Sequence, residues 1–76
     1  MGETPAQNVI GPVVRKLRYE RELTQAMLCA RCSRVGWDVS ENTIAKIEAQ
    51  YRCITDGEII FLAKALRVPI QDLFQK

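Results

Sequence analysis

Apolar residues in this chain recur in threes and fours rather than in alternation, the spacing of helices that each bury one face. Ile10, Val13, Val14 and Leu17 form such a stripe and predict a first helix from about Asn8 to Glu22, with Asn8 as N-cap. Pro12 fits that helix only in its first turn, where its missing N–H would be unpaired anyway. Thr24 then caps a second helix, running to about Ser33, whose inward positions are Leu28 and Cys32. Periodicity lapses over Arg34-Val35-Gly36-Trp37-Asp38-Val39, a stretch that reads as a turn. Ser40 is the next N-cap, and Glu41 puts an acid in the first turn, where the helix dipole favours it. Ile44 and Ile47 therefore belong to a third helix from about Glu41 to Ala49.

After a loop over residues 50–54, Thr55 and Glu58 stand three apart in the capping-box pattern. The fourth helix they start buries Ile59, Leu62, Ala63 and Leu66. Val68-Pro69 interrupts it, and Pro69 suits the first position of a short last helix carrying Ile70, Leu73 and Phe74. No segment alternates as a strand. The expectation is an all-α fold of five short helices, one domain over residues 8–76 preceded by a tail over residues 1–7.

Composition narrows the class. With 76 residues, 47% hydrophobic and 26% charged, the chain suffices for one ordinary globular domain. No apolar run approaches the roughly 20 residues of a membrane span. Met1-Gly2-Glu3-Thr4-Pro5 does not have the basic-then-apolar pattern of a signal peptide, so a cytoplasmic protein without membrane partners is expected. Cys29, Cys32 and Cys53 are an odd number, which argues for reduced thiols over a disulfide framework. The net charge of +2 decides little; its distribution says more. Between Arg15 and Arg52, eight basic residues (Arg15, Lys16, Arg18, Arg21, Arg31, Arg34, Lys46, Arg52) face five acidic ones (Glu20, Glu22, Asp38, Glu41, Glu48). Such a tilt can build the positive face that a phosphate backbone requires.

Leu23-Thr24-Gln25, Leu28-Cys29 and the run Ser40 to Glu48 resemble the lambda-repressor-like (Cro/Xre-type) helix-turn-helix DNA-binding family. Ile10-Gly11 and Val14-Arg15-Lys16-Leu17-Arg18 look like that family's first helix, and Ile59, Leu62 to Leu66, Val68 and Leu73-Phe74 like its last two. The fragments stand in the family's order and cover roughly residues 10 to 74. The resemblance implies a sequence-specific transcriptional regulator, a repressor rather than an activator, with double-stranded DNA as partner. Its second helix would cross the DNA backbone while the third enters the major groove. On matching positions Glu41, Asn42 and Lys46 would face base edges, and Thr24, Gln25, Ser40, Thr43 and Arg52 would meet phosphate. Arg18 and Glu48 match a pair that bridges the first and third helices in some members; the plainer reading is a surface pair worth under about 1 kcal/mol. A homodimer is expected, because a domain this small makes few base contacts and two half-sites about 34 Å apart would restore specificity. Its surface would be the final helix, where Ile70 and Phe74 are too apolar to stay exposed. No small-molecule effector is expected.

The chain also departs from that pattern. The stretch from Thr24 to Glu48 is longer than usual, which implies a lengthened turn around Arg34 to Asp38 between the second and third helices. Gln50 and Arg67 stand where the family has glycine, at positions a residue with a Cβ adopts less readily. Glu41 would be repelled by phosphates unless it accepts from cytosine N4.

Other chemistry finds little support. Cys29-x-x-Cys32 suggests zinc or redox work, yet zinc normally takes four ligands and the chain has no His and one further Cys. Core packing of Cys29 and Cys32 is the better reading, with the loop residue Cys53 the more reactive thiol. Trp37 either stacks on a partner or covers the edge of the core, and the latter is favoured. Arg31 and Arg34 read equally well as phosphate contacts or as solvated surface. Without a Gly-rich phosphate loop, a nucleophile elbow or a histidine, no enzyme and no cofactor is expected. The alternative function is a helix-turn-helix fold serving as a protein-interaction module, with Trp37 and the lengthened turn as its contact.

Overall fold

A computed structural model describes residues 6–74. They form four α-helices, α1 (Gly11–Glu20), α2 (Gln25–Arg34), α3 (Glu41–Glu48) and α4 (Asp56–Leu66), and a terminal 3-10 helix (Ile70–Phe74). Among the described residues there is no strand. The expected fifth helix is thus of the tighter kind: five residues after Pro69 close an i→i+3 bond, from the Asp72 N–H to the Pro69 carbonyl at 3.0 Å, and so short a piece gains little from α-helical propagation. Residues 1–5 of the expected tail lie outside the described residues. The Gln7 N–H donates to the Gln50 carbonyl at 2.9 Å.

The first helix is shorter at both ends than its periodicity suggested. Ile10, not Asn8, occupies the N-cap position, with Pro12 in the first turn. Asn8 still satisfies the helix start, since its Oδ1 accepts the Gly11 N–H at 2.7 Å. At the other end, Glu22 sits at φ 55, outside the helical region. The Thr24, Ser40 and Thr55 caps each accept a backbone N–H as expected, and Thr55 with Glu58 completes the reciprocal capping box.

All four α-helices end in one way. An N–H two or three residues past each helix turns back five residues: Leu23 to Arg18, Trp37 to Cys32, Tyr51 to Lys46 and Val68 to Ala63, at 2.9–3.0 Å. This closure demands a residue of positive φ just before the donor. Gly36 supplies one at φ 107, but Glu22, Gln50 and Arg67 supply the others at φ 55 to 65. Each non-glycine there costs on the order of 1 kcal/mol.

The core joins Ile10, Val14 and Leu17 of the first segment to Leu28 and Cys32 of α2, Ile44 of α3, Leu62, Ala63, Ala65 and Leu66 of α4, and Leu73. Trp37, in the connection from Val35 to Ser40, lies partly buried against it with its ring 6.1 Å from that of Phe61 and nearly parallel. Gly11 is buried where α1 meets α3, and a Cβ there would collide with the Ile47 carbonyl oxygen. No helix among the described residues is long and apolar enough to cross a membrane.

Candidate nucleic-acid interface

The α3 segment is anchored from below. Ile44 and Ile47 are fully buried, which fixes the helix rotation and turns Glu41, Asn42 and Lys46 to solvent. At its start the Ser40 hydroxyl accepts the Thr43 N–H at 3.1 Å and shares a 3.0 Å hydrogen bond with the Thr43 hydroxyl. The leading end of α3 is therefore both exposed and ordered.

The far end of α3 is pinned to α1 by an ion pair taken out of water. The Arg18 Nε donates to Glu48 Oε2 at 2.7 Å and Nη2 to Oε1 at 2.9 Å, while Nη1 donates to the Leu23 carbonyl at 2.8 Å. Both residues are buried, at 6% and 7% exposure, so the weak surface pair is the wrong description. Hydrogen bonding to Glu48 raises the Arg18 pKa further above its ordinary value, against the opposing effect of burial. The Gln25 amide adds a 3.3 Å bond to the same carboxylate, tying the start of α2 to the end of α3. Tyr19 lays its ring 4.6 Å from the Arg18 guanidinium carbon, a cation–π contact that covers the pair on its outer side.

A groove of about 580 Å³ opens where α1, the start of α2 and α3 meet, lined among others by Arg15, Tyr19, Thr24, Gln25, Glu41 and Ala45. Thr24, Gln25 and Glu41 are thus brought together, with Ser40 and Asn42 beside Glu41 in the chain. Arg15 and Tyr19 were not singled out as site residues from the sequence, although their i, i+4 spacing was a usable signal. Arg15 Nη2 donates to the Tyr19 hydroxyl at 3.4 Å. Donors from Arg15 first, then Arg18, hold the Tyr19 phenol below the usual tyrosine range.

Arg52 stands apart from this groove. Its two terminal nitrogens make a bidentate pair with Glu58 at 2.9 Å each, and the hydrogen bonds to Glu58 raise its pKa and lower that of Glu58. The cysteines also separate. Cys32 is buried, and burial pushes its thiol up to about 11; Cys29 is half-buried and raised by burial, then by the Glu41 carboxylate. Cys53 is exposed, donating to Gln7 Oε1 at 3.3 Å. Among the described residues no three His, Cys, Asp or Glu side chains gather as a metal site.

A helix-turn-helix family model matches residues 14–73, from the fourth residue of α1 to the next-to-last residue of the terminal 3-10 helix. Comparison with curated proteins and with solved structures returns no match.

Proposed function

The chain belongs to the lambda-repressor-like (Cro/Xre-type) helix-turn-helix family, a DNA-binding domain type, and from that premise we propose that it is a cytoplasmic, sequence-specific transcriptional regulator that inserts α3 into the major groove. The observation that carries this reading is the exposure of Glu41, Asn42 and Lys46 on a helix whose opposite face is wholly buried. Asn42 suits a bidentate pair with adenine, Lys46 donates to guanine O6 and N7, and Glu41 accepts from cytosine N4.

Phosphates are met at helix starts, where unpaired N–H groups and the dipole favour anions. Thr24 accepts a backbone N–H and keeps a hydroxyl proton to donate, Ser40 and Thr43 share one hydroxyl hydrogen bond that leaves one of their two protons to donate, and Gln25 has a second amide N–H beyond the one given to Glu48. Thr43 adds a hydroxyl beside Ser40. Arg52 contributes a contact weakened by its pairing with Glu58. By family resemblance the outcome of binding is repression. The protein works as a homodimer joined through its C-terminal segment, where Ile60, Ile70 and Phe74 are 41–48% exposed around one shallow apolar depression.

The test is a titration against duplexes selected from a random pool, at several salt concentrations. Affinity falls steeply as salt rises, with Lys46→Ala relaxing base preference and Arg52→Ala weakening all sequences about equally. Absence of DNA affinity at low salt would leave the protein-interaction module instead. Trp37 does little for that alternative, because its ring is spent on Phe61.

A further inference from the structure

Four of the chain's cations gather where the C-terminal ends of α2 and α4 meet. Arg31 and Arg34 lie in the last turn of α2, Lys64 in the last turn of α4, and Arg67 follows α4 directly. Together with Val35 and Ala65 they line a cleft of about 70 Å³ that no carboxylate lines. The chain's formal net charge is +2, so without these four it would be −2. Of the residues proposed to meet DNA, Thr24 and Gln25 stand at the start of α2, whereas Arg31 and Arg34 lie six and nine residues beyond Gln25, about 9 and 14 Å along the helix at 1.5 Å per residue.

Part of this gathering follows from helix electrostatics, since cations are favoured at helix C-termini. Two helix ends supply about one negative charge in all, and four formal positive charges exceed it severalfold. Arg31 is half-buried and fixed by donation from Nη1 to the Ala65 carbonyl at 3.3 Å, leaving further guanidinium N–H groups to donate elsewhere. Arg67 holds its place at φ 60, where glycine would be unstrained. Gln50 endures the same conformation with an evident gain, its amide donating to the Asn8 carbonyl at 2.9 Å.

We propose that this cleft binds a phosphate dianion, such as the terminal group of a small phosphate monoester. Three guanidinium forks and an ammonium suit a compact tetrahedral oxyanion of charge near −2, and a cleft of this size takes a head group rather than a polymer. The site is independent of the DNA reading and departs from the expectation that no small-molecule effector exists.

The full chain, labelled with nitrogen-15, is titrated with inorganic phosphate at ionic strength held constant with sodium chloride. Saturable shifts centred on the amides of Val35, Ala65 and Arg67 are expected. The double variant Arg34→Gln, Lys64→Gln, which alters only exposed side chains, weakens binding by about tenfold or more. Arg67→Gly, suited to φ 60 and so safe for the fold, weakens it severalfold while leaving DNA affinity unchanged. Non-saturating shifts, shifts spread evenly over the basic surface, or wild-type binding in the variants would overturn the site. A DNA duplex that moves the same amides and is displaced by phosphate would overturn it too, placing the cleft within the DNA surface.

Discussion

Arg18 spends three nitrogens inside the fold, two on Glu48 and one on the Leu23 carbonyl, so loss of either charge strands the other away from water. Glu48→Ala is expected to lower stability by about 3–5 kcal/mol, measured by urea unfolding, because an unpaired buried charge is costly even where the intact pair is nearly neutral. The paired replacement Arg18→Met, Glu48→Leu should recover most of that loss, which separates a stranded charge from lost packing. Cys32 gives a pH signature. Its thiol titrates near 9 when unfolded and near 11 in the fold, so the folded state holds its proton more tightly. Stability associated with it is complete below pH 9 and declines as pH rises from about 9 to about 11. Urea midpoints at pH 8 and pH 10.5 measure the decline, and Cys32→Val should flatten it. No change between wild type and Cys32→Val would mean that the thiol is not desolvated.

The sharpest constraint between elements is the approach of α1 to α3 at Gly11. Any Cβ there meets the Ile47 carbonyl oxygen, and the backbone oxygen cannot step aside as a flexible side chain would. Gly11→Ala should therefore cost well over the roughly 1 kcal/mol of an average substitution, and α3, which carries the proposed base-contact residues Glu41, Asn42 and Lys46, must shift to relieve it. A fall in both melting temperature and DNA affinity is the expected outcome; an unchanged melting temperature would show that the helices are less closely held. Helix ends teach a related lesson. The sequence marks Gln50 and Arg67 as irregular because glycine is usual there, yet both take the left-handed conformation that glycine would take. Local propensity was overruled by the need to return the chain toward the core at Tyr51 and Val68.

For the molecule as a whole, the proposed dimer rests on the apolar surface around Ile60, Ile70 and Phe74. Ile70→Ser with Phe74→Ser should leave the fold intact, since Leu73 remains fully buried between them. It should nevertheless shift sedimentation from dimer to monomer and weaken operator binding at least about tenfold by removing the second half-site. A wild type that sediments as a monomer on a two-half-site operator would refute the dimer.

Helix positions, most inward residues and the N-caps Thr24, Ser40 and Thr55, though not Asn8, were legible in the sequence, because each depends on neighbours within a turn or two and on a 3.6-residue period. Ile44 and Ile47 were assigned to the core from spacing alone, and the exposure of Asn42 and Lys46 follows from that assignment. The Arg18–Glu48 pair was suggested by family resemblance, but only packing distinguishes a buried lock from a surface contact, since burial belongs to the assembled helices. Tertiary structure alone tied Asn8 to the carbonyls of Ile47 and Arg52 and brought Arg31 and Arg34 of α2 to one cleft with Lys64 and Arg67. Residues some 30 to 45 positions apart have no common period to announce them. Their meeting is set by how α1, α2, α3 and α4 cross, and a pattern that repeats within single helices carries no record of the crossing.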